Sequence, residues 1–386
     1  MNKRKICVVT GNRSEYGLLS PLIKLLSDDT EIDLQIIATG AHLSTEFGYT
    51  AQEIEQDGFK IDKKIEMLLS TSSHVGVAKS MGLTQISICE AFNELSPDII
   101  VVLGDRYEIL SVVSTALIFN IPVAHFSGGE ITEGAIDDSI RHAVTKMSHI
   151  HFTAMEEYRK RIIQLGENPN NIFNIGEIGL DKIINTTLLT REELEIALAI
   201  KLKEKNILLA YHPVTLEADA EEKFKSILDA LETLKDTFII ISYPNADAGG
   251  TTIIKMIEDY VGRNKENSKA FKSLGHLNFL SAIDNTDLVI GNSSSGIVEA
   301  PSFKKPSINI GNRQKGRIQA ESTLNSIEDK SHILQAIETS YSADFQSKIK
   351  SVINPYGSGE SSIQALNVLK SIKLDNIIKK KFYDIK

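Results

Sequence analysis

Three short motifs in this 386-residue chain collect residues that can move protons. Residues 103–108 (LGDRYE) end an apolar run in Gly-Asp-Arg, which puts Asp105 at the carboxyl end of a strand. Asp105 is there a candidate acid–base group, and the structural alternative is a helix cap paired with Arg106. Residues 125–130 (HFSGGE) set His125 and Glu130 on either side of a Gly-Gly turn, where backbone can approach a ligand closely. Residues 137–142 (DDSIRH) space Asp137 from Arg141, and Asp138 from His142, by four, so on a helix each pair shares a face. Surface salt bridges have the same spacing. Carboxyl and imidazole groups spread over several loops suit proton transfer better than metal coordination.

Two further motifs suit phosphate. In residues 10–17 (TGNRSEYG), Gly11 permits a tight turn, Arg13 projects from it and Ser14 can cap the helix that follows. A guanidinium in that place suits a pyrophosphate, and the alternative is an ordinary strand–helix turn with a solvated Arg. Residues 291–296 (GNSSSG) follow an apolar strand and open a helix that contains Glu299. Small residues at a helix N-terminus offer free amides and the positive end of the helix dipole to an anion. Glu299, about one turn further on, can accept hydrogen bonds from two ribose hydroxyls. His212 and Asn245 follow neighbouring strands and can line the same nucleotide pocket. There is no Cys/His cluster and no HExxH, so neither a metal nor another cofactor is expected.

The elements that position these motifs are legible as alternation. Apolar, β-rich runs at 5–9, 34–38, 99–103, 122–126, 150–153 and 172–175 alternate with helical patterns such as 16–26. After a Leu-, Glu- and Lys-rich helical connector at 180–205, a second set follows at 206–211, 238–243, 288–290 and 307–310, with a helix at 222–234. Continuous apolar strands separated by helices specify a parallel sheet covered on both faces, built from βαβ units. The expected fold class is α/β, with two Rossmann-like doubly wound domains in tandem and an amphipathic helix at 360–372. In such folds ligands lie beyond the carboxyl ends of the strands, and each motif falls just after an expected strand.

Composition narrows the function. Lys plus Arg number 42 against 51 Asp plus Glu, a formal charge of −9 without a basic stripe, which excludes a nucleic-acid partner. Cys7 and Cys89, the only cysteines, are expected to be reduced and buried. The basic start precedes only four apolar residues, and no apolar stretch approaches the roughly 18 residues of a membrane span. A cytoplasmic location without a membrane partner is expected.

Taken in order, TGNRSEYG, LGDRYE, HFSGGE, DDSIRH, SHIHF, GNSSSGIVEAPS and NIGNRQKGR resemble the hydrolysing UDP-N-acetylglucosamine 2-epimerases of sialic and legionaminic acid pathways, from about residue 3 to 370. The resemblance implies a GT-B-like fold, with domains at 1–180 and 181–365 facing across a cleft and a helix or tail at 366–386 returning to the first domain. It also implies a homodimer or homotetramer. The implied reaction removes the proton from sugar carbon 2 as UDP leaves carbon 1, giving a glycal. Water then adds at carbon 1 and carbon 2 is reprotonated from the other face. UDP-N-acetylglucosamine would thereby yield N-acetylmannosamine and UDP. The alternative substrate is UDP-2,4-diacetamido-2,4,6-trideoxyglucose, to which the EYGLL, MLLSTSSHVGVAKSMG and TEGA stretches are more similar. By resemblance Asp105 and Asp137 form the acid–base pair, supported by Arg141 and His142. Arg13 meets the pyrophosphate, Ser294, Ser295 and Gly296 hold phosphate, Glu299 holds ribose and His212 lies beside the nucleotide. Asn292, Ser293 and Arg313, in the matching motifs, join Asn245 in the substrate-binding set. Ser127 stands where several members carry a catalytic Glu, so Glu130 or His125 is expected to supply that group. A GT-B glycosyltransferase would share the anion loop and the ribose Glu, and a nucleotide-sugar sensor would bind without turnover. The titratable groups grouped at Asp105, Glu130 and Asp137 favour the epimerase.

Overall fold

The computed structural model describes residues 3–45, 48–69, 73–132, 136–212, 220–244, 250–272 and 274–385. The chain divides into two compact units, Met1–Lys182 with Tyr356–Lys386, and Ile183–Pro355. The sequence expectation placed these boundaries at 180/181 and 365/366.

The first unit holds seven strands: β1 (Arg4–Thr10), β2 (Ile32–Thr39), β3 (Lys63–Ile65), β4 (Ile99–Leu103), β5 (Val123–Phe126), β6 (Ile150–Thr153) and β7 (Ile172–Asn174). They form one parallel sheet in the order β3-β2-β1-β4-β5-β6-β7. Successive side chains of a strand point to opposite faces, and β1 shows it. Ile6 and Val8 join a core with Leu19, Leu22, Ile99 and Val101 on one face. Cys7 and Val9 join another with Phe92, Ile100, Val102 and Val112 on the opposite face. Burial of both faces explains why these strands read as unbroken apolar runs.

The second unit repeats the plan with β8 (Lys205–Ala210), β9 (Thr237–Ser242), β10 (Ser268–Phe271), β11 (Leu288–Gly291), β12 (Ser307–Ile310) and β13 (Thr323–Ser326). Its sheet is also parallel, in the order β10-β9-β8-β11-β12-β13. In each sheet the strand order reverses beside the first strand, between β1 and β4 and between β8 and β11. A crevice opens at such a switch point because the flanking loops diverge to opposite faces.

Three strands, β3, β10 and β13, were not expected from sequence. Each lies at or next to a sheet edge, is short and carries polar residues (KKI, SKAF, TLNS), so it lacks a continuous apolar run. The connector at 180–205 is two short helices rather than one, Asp181–Asn185 and Arg191–Leu198. The second starts afresh at a Thr190–Glu193 capping box. The helix Ser361–Ser371 lies against the helix Arg13–Asp28, with Ala365 and Leu369 in the same core as Leu19 and Ile23. Its first amides donate to Asp181, and its last carbonyls, Leu369 and Lys370, accept from Arg4 Nη1 at 2.5 and 2.9 Å. No helix among the described residues is long and apolar enough to cross a membrane.

Candidate active site

In the first unit the carboxyl ends of β1, β4 and β5 carry the motifs. Asp105 follows β4. It does not cap the helix Tyr107–Ile118, whose N-cap is Arg106 without a side-chain bond. Asp105 Oδ2 instead accepts from Arg141 Nη2, a partner 36 residues later in the chain. Arg141 rises from the helix Ile136–Met147 with only 8% of its side chain exposed, while Asp105 keeps 21%. Arg141 Nη1 also donates to Thr132 Oγ1 at 3.0 Å and lies 3.9 Å from Asp138. The expected i,i+4 partner, Asp137, is exposed and makes no ion pair with it among the described residues. The other expected pair is present, with His142 Nε2 3.5 Å from Asp138 Oδ2. Burial pushes the Asp105 carboxyl up, Arg141 pulls it down and the charge of Asp137 pushes it up again, for a net rise above its ordinary value. The charge of Asp137 thus reaches Asp105.

The turn after β5 is built differently from the sequence expectation. His125 is fully buried. Its Nε2 lies 2.8 Å from Gly104 O and its Nδ1 3.2 Å from Thr145 Oγ1, so both ring nitrogens are engaged by protein. Burial drives its pKa down to about 3, and it stays neutral. The two glycines answer to packing rather than to a ligand. A Cβ on Gly128 would lie 2.9 Å from Thr145 Oγ1, and one on Gly129 (φ 79°) would strike Tyr158 O of the helix Glu156–Gln164. Arg161 of that helix donates to Gly129 O. Ser127, just before them, takes the left-handed conformation at φ 62°, which costs a non-glycine residue about 1–2 kcal/mol. Its amide donates to Phe152 O at 3.2 Å. Glu130 follows the turn and is half-buried.

Arg13 begins the helix Arg13–Asp28, capped by Asn12, whose side chain accepts from Glu15 N at 3.0 Å. Its side chain is 60% exposed and pairs with Glu53 at 3.0 Å. Glu15 and Glu108, which the sequence reading passed over, cluster beneath this turn with Arg106, there read only as a possible partner of Asp105. The Asn-x-x-Glu spacing of a capped helix start was the available signal for Glu15.

The second unit gathers its residues around Asn292. This buried side chain accepts from His212 N at 2.7 Å and donates to His212 O at 2.7 Å, which ties the loop after β11 to that after β8. Arg313 Nη1 and Gln314 Nε2 donate to Asn292 O at 3.0 and 2.9 Å. Ser295 Oγ donates to Ser293 Oγ at 2.9 Å, Ser294 is the N-cap residue, and Gly296 backs onto Ser307 of β12. The helix expected to contain Glu299 is only Ser295–Val298 followed by a 3-10 turn, so the loop amides rather than a macrodipole offer themselves to an anion. Glu299 ends that short helix. Burial raises its carboxyl to about 7, and its Oε2 is buried with no hydrogen-bond partner among the described residues. Asn245 lies outside the described residues. Among the described residues no group of three or more His, Cys, Asp and Glu side chains is placed to hold a metal.

Known proteins match this chain along nearly its whole length. The family model for UDP-N-acetylglucosamine 2-epimerase matches residues 24–370. A GDP/UDP-N,N'-diacetylbacillosamine 2-epimerase (hydrolyzing) of Campylobacter jejuni is 44% identical over the full length of both chains. A UDP-N,N'-diacetylbacillosamine 2-epimerase (hydrolyzing) of Legionella pneumophila is 36% identical over 97% of this chain and 98% of its own. The crystal structure of UDP-GlcNAc 2-epimerase from Neisseria meningitidis bound to UDP-GlcNAc shares the fold at a TM-score of 0.77 and 18% identity, over 95% of this chain and 100% of that one. With two doubly wound parallel sheets of the GT-B-like kind and these matches, the chain belongs to the UDP-N-acetylglucosamine 2-epimerase family.

Proposed function

We propose that this chain is a hydrolysing 2-epimerase whose substrate is UDP-N,N'-diacetylbacillosamine, that is, UDP-2,4-diacetamido-2,4,6-trideoxyglucose. The support for the substrate is the activity named for the relatives at 44% and 36% identity. The observation that carries the reaction class is Asp105 at the end of β4, partly exposed, held by a buried Arg141 and raised above its ordinary pKa by burial, with a smaller push from the charge of Asp137. A carboxyl group whose proton affinity is raised, beside a second carboxyl group, can take and return a proton in one turnover.

In this reading one of the two takes the carbon 2 proton as the bond from carbon 1 to the UDP oxygen breaks, and UDP leaves with the electron pair. Water then adds its oxygen to carbon 1 of the glycal, and a proton returns to carbon 2 from the opposite face. Arg141 fixes Asp105 and His142 fixes Asp138. His125 positions the turn after β4 through Gly104 and takes no proton, because burial keeps it neutral. Glu130 then remains as the titratable group beside Ser127. Arg13 exchanges its exposed pairing with Glu53 for the leaving diphosphate. In the second domain the loop 292–296 holds phosphate. Glu299, with a buried oxygen open to a donor, accepts from ribose. His212, Asn245 and Arg313 belong to the same nucleotide set.

UDP-N-acetylglucosamine is the second reading, favoured by the description of the matching family. The two substrates differ at sugar carbons 4 and 6. Incubating the protein with each in deuterated buffer and following proton NMR decides between them. The expected result is UDP plus the free 2-epimer carrying deuterium at carbon 2, faster from the diacetamido sugar. If both nucleotide sugars stay intact without exchange at carbon 2, the epimerase reading fails.

A further inference from the structure

Two carboxyl groups that this chemistry leaves unused lie directly beneath the turn after β1. Glu15 comes from the helix Arg13–Asp28 and Glu108 from the helix Tyr107–Ile118, which follow the adjacent strands β1 and β4. Both are buried. Among the described residues Glu15 receives only neutral donors, Gly11 N at 2.7 Å and Asn12 Nδ2 at 2.6 Å. Glu108 Oε1 accepts from Arg106 Nε at 3.2 Å, while its Oε2 is buried with no hydrogen-bond partner among the described residues. The carboxylate presses against the turn, since a Cβ on Gly11 would lie 2.7 Å from Glu108 Oε1. Two buried acids therefore face one guanidinium, and that guanidinium is itself half exposed.

A buried carboxyl group without a cation of its own keeps its proton rather than its charge. Burial and the charge of Glu108 lift Glu15 to about 8, against the pull of the Gly11 amide and Arg106. Were both acids ionised, two negative charges would underlie the turn that receives the diphosphate.

We propose that Glu15 is a proton-linked positioning residue: its neutral form is the one that admits a nucleoside diphosphate to the Gly11–Arg13 turn, so diphosphate binding and proton retention at Glu15 are coupled. This rests on the reading that the turn meets the diphosphate. The balance is one proton. When Glu15 is ionised, each diphosphate bound takes one proton from solvent onto its carboxylate, and when Glu15 is already protonated none is taken. No covalent bond changes.

Other titratable groups face this region. Glu108, Arg106 and Tyr107 come from the segment after β4, and His42 from the turn after β2. Glu53, Asp57 and Lys182 lie along the outer side of the helix Arg13–Asp28. His42 is bound by Thr10 and Thr50, and burial drives it down to about 4, so it is neutral across the relevant range. Burial also lowers Lys182, whose loss of charge would weaken anion binding in alkali. Substituting Glu15 separates the two effects.

The test is calorimetric titration of the whole protein with UDP on either side of about pH 8, in buffers of different protonation heat. Wild-type affinity is expected to hold steady below that pH and to fall above it by up to about tenfold per pH unit, with proton uptake approaching one per UDP. Glu15→Gln, which copies the neutral form, should abolish both the fall and the uptake while binding UDP near neutrality within about threefold of wild type. Glu108→Gln should move the fall to lower pH, because it removes the charge that raises Glu15. The proposal is overturned if Glu15→Gln keeps the wild-type pH dependence and proton uptake, which leaves the nucleotide-sugar reading intact. If UDP fails to bind wild type at any pH, that reading falls and the proposal with it.

Discussion

The two domains share a sheet topology and put opposite chemistry at the same place in it. At the first switch point, between β1 and β4, stand ionisable side chains in contact: Asp105 with Arg141, and Glu15 and Glu108 with Arg106. At the second, between β8 and β11, the framework is mostly neutral, with the guanidinium of Arg313 on the Asn292 carbonyl as its cation. Asn292 stitches two loops through backbone bonds, serines pair with each other, and Glu299 is a half-buried acid with one oxygen buried. Groups that change protonation belong where bonds to carbon are made and broken. A neutral cradle of amides and hydroxyls serves a ligand that must be held and released unchanged. The fold supplies the position and the loop residues supply the task.

Substitutions that should affect one domain's task and spare the other's test this division. The largest expected effect is from Asp105→Asn, which should lower kcat by about 10²–10⁴-fold while UDP affinity by calorimetry stays near wild type. Equal losses in both would erase the distinction. Glu299→Gln should do the converse, weakening UDP by about ten- to hundredfold, or ~1.5–3 kcal/mol, with a smaller change in kcat. The same variant has a pH signature. The raised carboxyl of Glu299 contributes stability that is complete below its unfolded value of 4.5 and is lost as pH rises through about 7. Denaturant midpoints across that window should decline in the wild type, and the Gln variant should flatten that part of the decline. Asn292→Ala should cost about 1–3 kcal/mol of stability by orphaning His212 backbone groups, read as a lower urea midpoint. An unchanged midpoint would mean the two loops do not need the stitch. The smallest effect is expected at Ser127→Gly, which relieves a left-handed serine and should stabilise the protein by about 1 kcal/mol. A gain in stability joined to a loss in turnover would mark the hydroxyl as the reason the strain is kept.

The buried centre of each sheet was legible because β1, β4 and β8 are apolar on both faces, whereas of the four edge strands only β7 was read, because a strand such as TLNS has one partner and only partly buried side chains. The placement of candidate residues just after a strand was legible, as for Asp105 and Asn292. Partner choice was not found. Helical spacing paired Arg141 with Asp137, yet the guanidinium is buried and turns to Asp105, which only the pairing of β4 with β5 brings near. Gly128 and Gly129 looked like room for a ligand, and the helix Glu156–Gln164 fills that room. Glu15 and Glu108 lie 93 positions apart and meet only because β1 and β4 are neighbours.

The helix Ser361–Ser371 completes a core begun by residues more than three hundred positions earlier, and Arg4 reaches carbonyls 365 and 366 residues away. A ribosome making this chain therefore delivers the first sheet long before the helix that covers Leu19 and Ile23. At about 5–20 residues per second, the apolar face of that nascent domain stays open for tens of seconds while the second domain is being synthesised. Chaperone binding to growing chains should therefore peak after the first sheet emerges and end when residue 371 clears the exit tunnel.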